Sequence, residues 1–96
     1  MKSAYELAME RLQKQSPSTP LTDEQRARIA EIDALYRSKM AEKELFLKEQ
    51  IRREEQSGNR GQVEQLAQQL ASELRRLQEE CEAQKEKVRR GAQPAP

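Results

Sequence analysis

One thiol and many carboxylates are the reactive groups of this chain of 96 residues, which has 1 Cys, 17 Asp+Glu, no His and no Trp. Without imidazole there can be no Ser-His-Asp triad, no histidine general base and none of the zinc or haem sites that need histidine. Cys81 has no second cysteine with which to form a disulfide or a CxxC pair, and no histidine to activate it. Its neighbours Glu79, Glu80 and Glu82 disfavour a thiolate. Cys81 therefore reads as a small hydrophobe on an apolar seam. The carboxylate pairs Glu54-Glu55 and Glu79-Glu80 could suggest a di-metal centre, but such centres in helical bundles combine inward Glu with Glu-x-x-His. Both pairs read as solvated helix faces. No set of residues forms a nucleophile with its base. The expectation is no enzyme, no catalytic or metal-binding residue and no cofactor.

The other candidate chemistry is electrostatic. Lys85-Glu86-Lys87-Val88-Arg89-Arg90 concentrates Lys85, Lys87, Arg89 and Arg90, which could touch phosphates of a nucleic acid. Basic residues also belong in the last turn of any helix, where the dipole favours them. Net charge is flat along the chain, +1 over residues 1–21, −1 over 22–57 and +1 over 58–96. Aromatics for base stacking make up 3%. The helix-end reading is favoured, and nucleic-acid or ribosome association is kept as an alternative.

Charged residues form 36% of the chain and apolar residues 34%, with a mean hydropathy of −1.12. That balance supports one small domain with a thin core. The start, Met1-Lys2-Ser3-Ala4-Tyr5-Glu6, lacks the apolar run of roughly 7–15 residues that a signal peptide needs, and no stretch reaches the roughly 18 of a membrane span. A cytoplasmic protein with a reduced thiol is expected.

Three helices are legible. Ser3 followed by Glu6 forms a capping-box pattern, and Tyr5, Ala8, Met9 and Leu12 then share one face. This first helix, residues 3–15, ends in the Pro/Ser linker 16–21 and is too short to persist without docking. Thr22 with Gln25 opens a second helix, residues 22–57, about 54 Å long. Its apolar residues Ile29, Met40 and Ile51 stand eleven apart, as do Tyr36 and Leu47, and Leu35 and Phe46. An eleven-residue repeat favours a nearly straight rod. The third helix, residues 62–90, follows a turn at 58–61, in which Gly58 suits a left-handed cap and Asn59 can start the next helix. Its seam reads as heptad-like through Val63, Ala67, Leu70, Leu74, Leu77, Cys81, Gln84 and Val88, with Leu66 beside it. Residues 91–96 read as a disordered tail.

So short a break implies an antiparallel hairpin. A turn centred on Asn59 would place opposite each other residues whose numbers add to about 118. Ile51 then faces Ala67, Tyr36 comes near Cys81, and Ile29 meets Val88. Acid-first i,i+4 pairs (Glu10–Lys14, Glu24–Arg28, Asp33–Arg37, Glu44–Lys48, Glu49–Arg53 and Glu86–Arg90) support the exposed faces, at about 0.3 kcal/mol each.

The stretch Glu44 to Glu80 resembles a UVR-type hairpin, carried by Leu47-Lys48-Glu49-Gln50-Ile51 before the turn and Gly58-Asn59-Arg60-Gly61-Gln62-Val63-Glu64-Gln65-Leu66-Ala67 after it. Val63 stands where that motif usually has an aromatic residue. The resemblance implies a protein-binding hairpin, as found in excinuclease subunits and in partners of AAA+ proteases and arginine kinases. The whole chain is also similar to small helical proteins common in bacterial genomes.

The reading is an all-α fold, a long antiparallel two-helix, coiled-coil-like hairpin preceded by a short helix. Its expected function is non-enzymatic protein–protein interaction or self-association, including a homodimer that completes a four-helix bundle. Leu45, Phe46 and Leu47 are consecutive and cannot all enter one seam, so Leu45 and Phe46 are candidate partner contacts. A UVR-like adaptor for an ATPase or kinase would instead bind through the hairpin tip, at Arg60 and Gln62.

Overall fold

The computed structural model describes residues 3–15 and 20–91, with side chains of the first segment described over 3–10. The linker expected at 16–21 and the tail expected at 91–96 fall largely outside the described residues. Three helices and no strands are present among the described residues, α1 (Ala4–Gln15), α2 (Asp23–Gln56) and α3 (Arg60–Arg89). Helices α2 and α3 pack against each other as an antiparallel hairpin. No helix of the described residues is long and apolar enough to cross a membrane.

Each boundary has a local cause. Thr22 Oγ1 accepts from the Gln25 N–H at 3.0 Å while Gln25 Oε1 accepts from the Thr22 N–H at 2.8 Å, so two otherwise orphaned donors are satisfied reciprocally at the start of α2. At its end Gly58 adopts φ 75°, which lets its N–H reach Glu55 O at 3.1 Å and the Asn59 N–H reach Glu54 O at 3.0 Å. That pair of bonds is the Schellman arrangement, and glycine takes the left-handed position without a Cβ clash. The turn is tighter than the sequence suggested. Helix α3 begins at Arg60, with Gly61 already inside it. Asn59 is its N-cap residue but makes no side-chain capping bond; its backbone N–H donates to Glu54 O and closes α2.

The buried rows follow one rule in both helices. In α2 the buried Ile32, Tyr36 and Leu47 are flanked by half-buried Ile29, Met40 and Ile51. In α3, Leu66, Leu77 and Val88 are buried and stand eleven apart, with buried Cys81 eleven after half-buried Leu70. Both helices therefore run on an eleven-residue period, which lets two nearly straight rods keep their apolar stripes in contact. The heptad reading of α3 needs one correction. Ala67 is exposed and Leu66 takes its place in the seam, because the longer period rotates the stripe by one position near the turn.

The register is close to the expected one. Four polar contacts cross the hairpin, Gln25 Nε2 to Val88 O at 2.9 Å, Cys81 Sγ to Asp33 Oδ1 at 3.7 Å, Lys43 Nζ to Glu73 Oε2 at 3.8 Å and Lys85 Nζ to Asp33 Oδ1 at 2.9 Å. The residue numbers in these contacts add to between 113 and 118, so the fold-back is centred slightly before Asn59. Tyr36 and Cys81 share one cluster with Ile32, Leu77 and Val88, and Ile29 packs against it.

Helix α1 departs from expectation. Ser3 Oγ caps the Glu6 N–H at 3.2 Å as anticipated, but α1 does not pack on α2 or α3 among the described residues. Tyr5, Leu7 and Met9 are exposed. An amphipathic pattern shows that a helix has an apolar face to cover, not that the covering surface lies in its own hairpin.

Candidate protein-interaction surface

The consecutive run Leu45-Phe46-Leu47 divides as helix geometry requires, since neighbours are about 100° apart around the axis. Leu47 is 2% exposed and faces α3, whereas Leu45 and Phe46 are 76% and 62% exposed. The sequence reading did not select Leu35 as a contact. It is 52% exposed and, eleven residues before Phe46, lies on nearly the same line along α2. That spacing was the signal that could have placed it in the site. Phe46, with Lys39, Glu42 and Lys43, lines the α2 side of a shallow groove whose other side carries Arg76, Leu77 and Glu80 of α3. The Lys39 ammonium sits 4.8 Å from the centre of the Tyr36 ring, which anchors it beside this groove.

At the hairpin tip, Arg60 and Gln62 are both exposed. Arg60 lines a shallow depression with Glu55, Asn59 and Val63. The tip offers backbone and charge but little apolar surface.

The basic end of α3 is largely engaged. Lys85, only 13% exposed at its side chain, lies 2.9 Å from Asp33 of α2 and 2.8 Å from Glu82. Arg89 and Arg90 reach Glu86 at 3.4 and 3.2 Å, and Lys87 is exposed. Of the four candidate phosphate contacts, Lys85 is thus a cross-helix tie. Asp33 was expected to pair with Arg37 along α2, but its closest cation comes from the other helix. Glu44–Lys48, Glu49–Arg53 and Glu86–Arg90 form as expected at 3.6, 3.4 and 3.2 Å. Arg28 turns instead to Glu31 at 3.2 Å, and the Lys14 side chain lies outside the described residues.

The polar tie sets local protonation. Hydrogen bonds donated to Glu82 and Asp33 push the Lys85 ammonium up to about 12 from its ordinary 10.5. Lys85 in turn holds the Asp33 and Glu82 carboxyls below their ordinary 3.8 and 4.5. Burial raises the Cys81 thiol, with Asp33 adding to the effect and Lys85 opposing it. A thiol held protonated is a poor nucleophile and metal ligand. No group of three His, Cys, Asp or Glu among the described residues is placed to hold a metal ion.

A pH dependence follows from these directions. Because the folded value of Lys85 is raised, its contribution is complete below about 10.5 and is lost as pH climbs toward 12. Because Asp33 and Glu82 are lowered, theirs is complete above about 4.5 and is lost as pH falls beneath 3.8. Lys85→Gln should lower the melting temperature at neutral pH. It should also remove the extra loss of stability between pH 10.5 and 12 and flatten part of the acid-side loss. Circular-dichroism melts of both proteins across that range would check this, and parallel pH curves would contradict it.

No protein-family model matches the chain, and neither the curated proteins nor the solved structures contain a match to it.

Proposed function

We propose that this chain is a non-enzymatic helical protein of the cytoplasm that works by binding another helical surface, its own or a partner's, through the exposed apolar residues of α2. The observation that carries the reading is the exposure of Leu35, Leu45 and Phe46 on an otherwise charged rod. Exposed apolar side chains of this size, one of which, Phe46, borders the interhelical groove, are the ordinary anchor of a helix-on-helix contact. The pairing of Lys85, Arg89 and Arg90 with carboxylates counts against a phosphate-binding alternative.

Replacing Leu45 and Phe46 by glutamate tests the reading. Association measured by cross-linking and size exclusion should be lost while helicity is kept and the melting temperature falls by no more than a few degrees, since neither side chain is in the seam. Binding that ignores these substitutions and weakens steeply with added salt would replace it with nucleic-acid association. Loss of capture on Arg60→Ala or Gln62→Ala would move the contact to the tip, the place the UVR-like hairpins imply. Turnover of any substrate by the purified chain would refute the non-enzymatic part.

A further inference from the structure

The charged and apolar residues on the open face of α2 are arranged almost symmetrically about a point midway between Lys39 and Glu42. Leu35 and Phe46 stand at equal distances on either side of that point. Next to it, Lys39 on one side answers Glu42 on the other. Farther out, one end carries Arg28 bonded to Glu31 at 3.2 Å, and the other carries Arg53 bonded to Glu49 at 3.4 Å. At 3.6 residues per turn all of these fall within an arc of roughly 80°, about a quarter-turn from the row that faces α3. All are exposed except Glu49, which is half-buried.

A face with that order reads nearly the same in both directions, except that opposite charges exchange places at its centre. This is the pattern an isologous two-fold contact requires, in which residue i meets j of the second copy and j meets i. We infer that α2 pairs antiparallel with α2 of a second copy of this chain, with Leu35 of each against Phe46 of the other and Lys39 of each against Glu42 of the other. The inference rests on the interaction reading above and names its partner. Charge complementarity selects the occupant. In this register the centre makes two opposite-charge contacts, while Arg28 of each copy faces Arg53 of the other, each arginine carrying its own carboxylate, Glu31 or Glu49. A parallel pairing would set Lys39 against Lys39 and Glu42 against Glu42. The seam with α3 lies on another side of α2, so the hairpin stays intact and two copies form a four-helix assembly.

The test is sedimentation equilibrium of the full chain and of charge variants whose helicity is first shown to be unchanged. Wild type should be a dimer. Lys39→Glu alone, or Glu42→Lys alone, faces like charges twice across the axis and should weaken dimerisation by at least about tenfold. An equimolar mixture of those two variants restores both opposite-charge contacts and should return association to near the wild-type value, as should the double variant. A wild-type monomer at every concentration would overturn the inference, as would a dimer indifferent to either substitution. A monomer whose Tyr5 ring resonances shift on Phe46→Glu would place α1 on this face instead. A monomer that still loses a foreign partner on Phe46→Glu would leave the interaction reading standing and remove only the second copy.

Discussion

Leu47→Ala is expected to lower the stability of the hairpin by about 2–4 kcal/mol, whereas Leu45→Ala, two residues earlier, changes it by less than about 0.5 kcal/mol. Leu47 is the one large side chain among the described residues that is fully buried. Two rods have few layers with which to close a cavity, so truncation forfeits both the transfer term and the contacts around it. For a domain of this size that loss corresponds to a fall in melting temperature of at least about 8 °C. Since small domains hold only about 5–15 kcal/mol in total, a single methyl-bearing branch accounts for a large share of the fold. Thermal and urea unfolding followed by circular dichroism would measure it. Equal effects at 45 and 47 would mean that the helix is rotated from the orientation described here.

What could be read from the sequence depended on how local each cause was. Thr22 with Gln25, and glycine at position 58, act through bonds to residues three or four positions away, and both boundaries formed where those residues predict. The start of α3 was placed two residues late because Asn59 serves two helices at once, closing α2 with its N–H while heading α3. Asp33 shows the limit more sharply. On the helix surface its neighbour four residues on is Arg37, and a local rule pairs them. The register of the hairpin brings Lys85 within 2.9 Å, and the less exposed pairing wins. The surface around Phe46 was half legible: consecutive apolar residues forced Leu45 and Phe46 outward, but only the eleven-residue spacing back to Leu35 shows that Phe46 belongs to an extended stripe. The position of α1 was not legible at all, since an apolar face specifies burial without specifying against what.

Which repeat governs α3 can be decided at two adjacent positions. Under a heptad seam Ala67 would be buried against Ile51, and Ala67→Glu would place an unpaired charge between two helices at a cost of several kcal/mol. Under the eleven-residue seam Ala67 points to solvent, so the same change stays within about 0.5 kcal/mol. The opposite holds for Leu66, which is 7% exposed and in line with Leu77 and Val88. Leu66→Ala should cost about 2–3 kcal/mol, because it removes a buried side chain of the α3 seam beyond which only half-buried Val63 lies closer to the turn. Leu66 is also the buried residue of α3 closest to the turn, whose Gly58 and Asn59 N–H groups donate to Glu55 and Glu54. Leu66→Ala should therefore speed amide exchange at Gly58 and Asn59 ahead of the core around Tyr36 and Cys81. A stable Leu66→Ala protein beside a collapsed Ala67→Glu protein would restore the heptad near the turn, exchanging Ala67 for Leu66 in the seam.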